Sequence, residues 1–223
     1  MRHKSLRGAL VDYASRVPGP FGHMFCGRST VAGAECARCE RPLVQMLNLD
    51  SRDPLAGLSE IGLPHLPLLY CWGCRPERTS FFYHVGERVV PLRRAAGRRP
   101  PRLPYRGHPM AFPAAPARLV ALPAEVAAHH GALNRTLSRE RAGRDAAEAI
   151  ARRVPCHQVG GEPLLLAPWR TLICPRCRKR MPFLATIADD NLDPRGFAGE
   201  HCSQVLFHFC RACRVVGAYR QTA

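Results

Sequence analysis

Cys36-Ala-Arg-Cys39-Glu-Arg-Pro-Leu43 and Cys174-Pro-Arg-Cys177-Arg-Lys-Arg-Met181 are the two stretches on which the fold turns. Each is a Cys-x-x-Cys turn that runs into an apolar segment, Val44–Leu49 in one case and Pro182–Ala188 in the other. Each is answered by a second pair: Cys71-Trp-Gly-Cys74 after 31 intervening residues, Cys210-Arg-Ala-Cys213 after 32. Both second pairs follow another apolar run, Leu66–Tyr70 and Val205–Phe209. The offset from Cys36 to Cys174 is 138 residues, and the surroundings repeat with the cysteines. The chain therefore reads as an internal duplication.

A Cys-x-x-Cys turn aims two sulfurs at one point. Two such turns supply four thiolates at tetrahedral positions, with Zn–S about 2.3 Å. An all-thiolate shell selects zinc over magnesium or calcium, and a closed shell leaves no position for a reactive water. The expected ligands are Cys36, Cys39, Cys71 and Cys74 for one structural zinc, and Cys174, Cys177, Cys210 and Cys213 for a second. Arg38, Arg41 and Arg75 flank the first site. Arg176, Arg178, Lys179, Arg180, Arg211 and Arg214 flank the second. Cations beside thiolates lower their pKa and stabilise the anionic cluster. An iron–sulfur cluster would show tighter spacings, and a redox dithiol would need one pair only. Cys26, Cys156 and Cys202 lack partners at ligand spacing and read as small buried residues. Cys156 and His157 are neighbours in an extended segment, so their side chains point apart and make a poor nucleophile–base dyad.

Composition bounds the rest. The 223 residues suit two small domains, and 46% hydrophobic with 22% charged residues is globular. Basic residues outnumber acidic ones by 33 to 17, and all but Lys4 and Lys179 are arginine. That charge is either a footprint for a polyanion or a compositional bias toward Arg, Ala, Pro and Gly. Aromatics are only 7%, with no stripe alternating them with arginine, which weighs against a nucleic-acid stacking platform. No apolar run approaches the ~20 residues of a membrane helix, so no membrane partner is expected. Met1–Pro20 is basic without an apolar core and does not read as a secretory signal. The expected compartment is the reducing cytoplasm, where eleven cysteines argue for metal rather than disulfides.

The expected class is α+β and β-rich: two zinc-ribbon-like four-cysteine units joined by a Pro/Arg-rich linker and a helical segment. Residues 1–92 hold a Gly-rich lead-in and the first unit. Its strands are Leu43–Leu49 and Leu66–Cys71, followed by a hairpin of Phe81–Val85 and Arg88–Pro91 about Gly86-Glu87. Residues 93–123 carry seven prolines and read as an extended linker with no regular ladder. Residues 124–153 show a loose helical stripe (Leu133, Leu137, Ala146, Ile150, Val154), with His129-His130 near a helix end because Gly131 follows. Residues 154–223 hold the second unit, with strands at Pro163–Trp169, Phe183–Ala188, Gln204–Phe209 and Val215–Arg220. Asp189, Asp190 and Asp193 read as a turn. His201 and His208 are secondary ligand candidates, His208 opposite the Val205, Phe207, Phe209 face.

His157-Gln-Val-Gly-Gly161-Glu-Pro163, the Cys174–Cys177 turn, Met181-Pro-Phe-Leu-Ala-Thr-Ile187 and Phe207-His-Phe-Cys210-Arg-Ala-Cys213 follow one another in an order that resembles the YwqG-like family of unknown function and the programmed-cell-death-2-like proteins. Pro67-Leu-Leu-Tyr-Cys71-Trp-Gly-Cys74 resembles a diverged first copy. A first-half counterpart of the Gly-Gly motif, around Gly27–Gly33, is poorly formed, and Thr186-Ile187 stands where Gln-Ile is common. The resemblance implies a β-rich, pseudo-duplicated fold with zinc-stabilised units. In eukaryotic relatives it implies a dedicated chaperone for a small-subunit ribosomal protein. No paired carboxylates, nucleophile motif or phosphate loop is present. The expected role is therefore non-enzymatic: a module that binds a protein client, or alternatively a nucleic-acid-binding zinc ribbon.

Overall fold

The computed structural model describes residues 8–74, 80–92, 102–139, 156–189, 196–199 and 203–222. The strands of the first half are β1 (Ala9–Asp12), β2 (His23–Phe25), β3 (Val44–Asp50), β4 (His65–Tyr70), β5 (Phe81–Val85) and β6 (Val89–Pro91). They are followed by β7 (Ala115–Ala121), the helix α1 (Ala124–Arg139), β8 (Gln158–Val159), β9 (Phe183–Ala188), β10 (Ser203–Cys210) and β11 (Val215–Thr222). All eleven described strands lie in one antiparallel sheet of order β4-β3-β2-β7-β1-β8-β9-β10-β11-β5-β6.

The order is nearly palindromic about the β7–β1 pair. On one side β7 leads to β2, β3 and β4; on the other, β1 leads to β8, β9 and β10. Each half has handed a strand to the other. β1 pairs with β8 through Ala9↔Val159 and Leu10↔Gln158, while β7 pairs with β2 through His23↔Ala117 and Phe25↔Ala115. Asp12 accepts from Arg118 at 2.8 Å across the β1–β7 seam. The β5–β6 hairpin then joins the far side of β11.

The sheet curls so that its ends meet. Tyr83 of β5 is fully buried and stands at the free edge of β4. Its hydroxyl accepts from Leu69 N–H at 2.7 Å and donates to Pro67 O at 2.9 Å. One side chain thus fills the role of a ladder partner at an edge that would otherwise be open.

Inside the curl lies the main core, drawn from both halves and including Phe25, Leu47, Tyr70, Ile187 and Phe207. A second, smaller core sits on the opposite face of β10 and β11, with Leu165, Leu172, Leu206 and Tyr219. Every residue of β10 is buried as a result. His208 falls on that second face, opposite Val205, Phe207 and Phe209, as its alternation requires.

Three local expectations are corrected. Residues 93–123 are not all linker, because Ala115–Ala121 forms β7 despite Pro116. β1 reaches only to Arg118, so at Pro116 the strand has a neighbour on one side, the situation in which a ladder tolerates proline. Pro163–Trp169 is not a strand but an irregular strap over β10 and β11. Its leucines are buried, but its N–H groups go to side chains: Leu165 to Asn134 Oδ1, Leu166 and Ala167 to Gln221 Oε1. His129-His130 lies inside α1, not at its end, with Gly131 carried in the helix. Residues 140–153 of the expected helical segment lie outside the described residues.

Candidate metal centres

The two Cys-x-x-Cys turns that open each site share one hydrogen-bond plan. Cys36 N–H donates to Arg41 O and Glu40 N–H to Cys36 O, both at 2.9 Å. Cys174 N–H donates to Lys179 O at 2.8 Å and Arg178 N–H to Cys174 O at 2.9 Å. Glu40 and Arg178 occupy the same left-handed backbone position, φ +59° and +62°. One residue further out, the Glu35↔Pro42 and Ile173↔Arg180 bridges close the two loops. Each answering pair sits on a single 3-10 turn, Trp72–Cys74 after β4 and Arg211–Cys213 after β10.

These turns bring the expected residues together. Cys36, Cys39, Cys71 and Cys74 form one group, and Cys174, Cys177, Cys210 and Cys213 the other, with all four sulfurs of each group within 4.8 Å of one another. Cys36 and Cys74 sulfurs lie 3.5 Å apart, Cys39 and Cys71 3.6 Å, Cys177 and Cys210 3.6 Å. A tetrahedron with Zn–S of about 2.3 Å has S–S edges of about 3.8 Å, whereas a disulfide is about 2.05 Å. The sulfurs thus stand where a metal's ligands would stand, and each group could hold one metal ion. Among the described residues no other His, Cys, Asp and Glu cluster has this property.

Without a metal the four thiols of a group must share protons. Hydrogen bonding to Cys71 holds Cys36 and Cys39 below the usual thiol range, while contact with Cys36 pushes Cys71 and Cys74 up. In the second group Cys177 is lowered, chiefly by the Lys179 N–H, while burial raises Cys210 and Cys213. A divalent metal replaces those protons and removes the conflict.

The two groups have different surroundings. The first packs against the main core, where Trp72 is 3% exposed and meets Phe197 and His108. Residues 102–113 lie over it, with Arg102 N–H on Gly73 O at 2.8 Å. The second packs against the smaller core.

Other candidates have structural roles. Cys26 is fully buried, and Cys156 turns to Gln158 Oε1 at 3.9 Å. His157 instead accepts Ala188 N–H at Nδ1 (3.2 Å) and lies edge-on to Phe25. His208 Nδ1–H donates to Met181 O at 3.0 Å, and Asp189 accepts Phe197 N–H in a turn. Cys202, His201, Asp190 and Asp193 lie outside the described residues.

A repeated motif emerges that the cysteines alone do not reveal. His23-Met-Phe-Cys26-Gly27 is the counterpart of His157-Gln-Val-Gly160-Gly161, so the first copy begins upstream of the Gly27–Gly33 stretch where it was expected. Cys26 N–H donates to Met46 O, and Gly160 N–H to Leu184 O, which are matching positions of β3 and β9. Cys26 and Gly27 have φ +54° and +87°, Gly160 and Gly161 both +64°. His23 accepts the Asp50 N–H at Nδ1, as His157 accepts that of Ala188. The spacing of a histidine three and four residues before a Cys-Gly or Gly-Gly pair is the signal that identifies it. The first-half histidine also meets a carboxylate, Asp53 at 2.8 Å from Nε2. Its side chain is 1% exposed with both nitrogens engaged, which locks the loop after β3.

No protein-family model, curated protein or solved structure matches this chain.

Proposed function

We propose that the chain is a non-enzymatic zinc protein in which two structural four-cysteine sites hold a β-rich module that binds a protein client or partner. The observation that carries this reading is the pair of closed four-sulfur groups with tetrahedral edge spacing. Sulfur-only donors at that spacing favour zinc, and a shell filled by protein has no open position for catalysis. The buried His–carboxylate pair of His23 and Asp53 has no free ring nitrogen with which to move a proton. The resemblance to YwqG-like and programmed-cell-death-2-like proteins supports a duplicated, client-binding role in the cytoplasm. A cationic chain of +16 favours an acidic client surface.

Elemental analysis of chain purified without chelators tests the zinc reading. Two zinc per chain is the expected result; iron, or no metal with full activity in client capture, overturns it. Capture of one saturable client by metal-loaded protein, lost on chelation, is expected of the module.

A further inference from the structure

The two opening turns share their backbone but not their charge. At matching positions Glu35 becomes Ile173, Glu40 becomes Arg178 and Pro42 becomes Arg180, while Arg38 and Arg176 stay alike. The first turn is therefore balanced, with Glu35 and Glu40 against Arg38 and Arg41. The second carries Arg176, Arg178, Lys179 and Arg180 and no acid. From Pro163 to Ala188 there is no Asp or Glu at all. A tetrathiolate zinc would be a dianion in both sites, and the first opening turn carries no excess cations, so neutralising the metal shell does not by itself account for those of the second. All four cations are exposed, and none pairs with an acid among the described residues. Their field reaches inward: His84 is held below its ordinary value by burial first and then by Arg176 and Arg214.

An exposed aromatic is anchored on the same small core. Trp169 is 41% exposed, anchored edge-on against Phe183 at 5.7 Å and His208 at 5.3 Å. Beside it Asn134, Arg135, Glu162, Pro168 and Trp169 line an open groove of about 420 Å³. Phe183, which supports Trp169, packs on the same small core as Cys174 and Cys177. One exposed indole and a turn of unneutralised cations are thus both carried by the elements around the small core.

We propose that the second four-cysteine site's opening turn and Trp169 form a docking surface for single-stranded nucleic acid, a base stacking on the indole and phosphates lying along Arg176–Arg180. The inference rests on the zinc reading, because the metal shapes the turn, but it adds a partner of another class. An acidic peptide would use the cations and leave the indole idle. A duplex would keep its bases from Trp169.

The test is fluorescence anisotropy of a labelled oligothymidylate of about 12 nucleotides with the full, metal-loaded chain. Saturable binding is expected, and with four phosphates engaged its log K falls with log salt at a slope of about −3. Trp169→Ala weakens it about 5- to 150-fold, the worth of one base stacked on an aromatic, and Trp169→Phe restores most of the loss. Reversing Arg176, Arg178, Lys179 and Arg180 to Glu abolishes binding, while Arg16→Glu with Arg28→Glu, two exposed arginines outside both cysteine turns, leaves it intact. No saturable binding by chain that carries two zinc overturns this inference and leaves the zinc reading standing. Displacement by polyglutamate at equal charge, with Trp169→Ala unchanged, overturns it in favour of an acidic protein surface. A metal count other than two would instead sink the reading beneath it.

Discussion

Cys177→Ser is the most informative single change. Read from sequence alone, it should loosen the second unit and leave the first folded. The exchange of strands reverses that expectation. β1 gives its ladder to β7 and β8, β7 gives part of its own to β2, and β5 gives its own to β11. Each net hydrogen bond contributes about 0.5–1.5 kcal/mol, so the seams between halves are worth on the order of 10 kcal/mol before side chains are added. A core of about 70–80 residues alone supplies roughly 3–5 kcal/mol. Neither half outlasts loss of the other. A structural zinc contributes about 10–16 kcal/mol in small finger peptides, while a whole domain's net stability is about 5–15 kcal/mol. A metal held by the second group would therefore support the entire sheet, and its loss would threaten all of it. The assay is urea unfolding in a Trp169→Phe background, where Trp72, beside the first site, is the only indole. In Cys177→Ser the Trp72 transition should move to lower urea and coincide with loss of far-UV circular dichroism. A Trp72 transition that keeps its midpoint while the second half melts would refute the argument.

Other outcomes follow from single contacts. Gly161→Ala sets a Cβ 2.9 Å from Gly8 Cα at φ +64°; left-handed strain and overpacking together should cost about 2–4 kcal/mol, read as a fall in urea midpoint. Gln221→Leu strips the partner from the buried Leu166 N–H, worth about 1–3 kcal/mol when left unpaired, and from the half-buried Ala167 N–H, which water can partly satisfy. Hydrogen exchange at those two amides should accelerate ahead of β10. His130, 5% exposed in α1, is held below its ordinary 6.5 chiefly by burial, against the raising pull of Glu162 and Gln158. The unfolded chain then binds its proton first, so stability is present above pH ~6.5 and falls as the pH drops below it. His130→Gln should flatten the fall in Tm between pH 7 and 5; an unchanged slope would place the effect elsewhere.

The local elements are legible in the sequence where one chemistry dominates. The four Cys-x-x-Cys pairs mark both sulfur groups, and β3, β4, β9, β10 and the β5–β6 hairpin follow from apolar runs between turn residues. The strap at Pro163–Trp169 mimics a strand, because an apolar run looks alike whether its N–H groups meet a neighbouring strand or, as here, Asn134 and Gln221. Prolines conceal β7, since their cost depends on how many neighbours a strand has. Strand exchange leaves no local trace at all: Ala9 and Val159 meet only because the sheet closes around them. The charge difference between the two opening turns is visible in the sequence, but it acquires meaning only when Glu40 and Arg178 hold the same backbone position.

The seam sets a constraint on how the chain is made. β1 is made before both of its neighbours among the described strands, β7 and β8, and the β5–β6 hairpin waits for β11. The nascent first half can close its four sulfurs around a metal, yet its sheet stays open at β1, β2 and β5. Synthesis therefore runs ahead of folding until β11 is made, with unpaired apolar strands open to holdase capture in the interval. Co-expressed fragments cut between β6 and β7 should be unfolded singly and fold together, which pull-down of one fragment by the other would show.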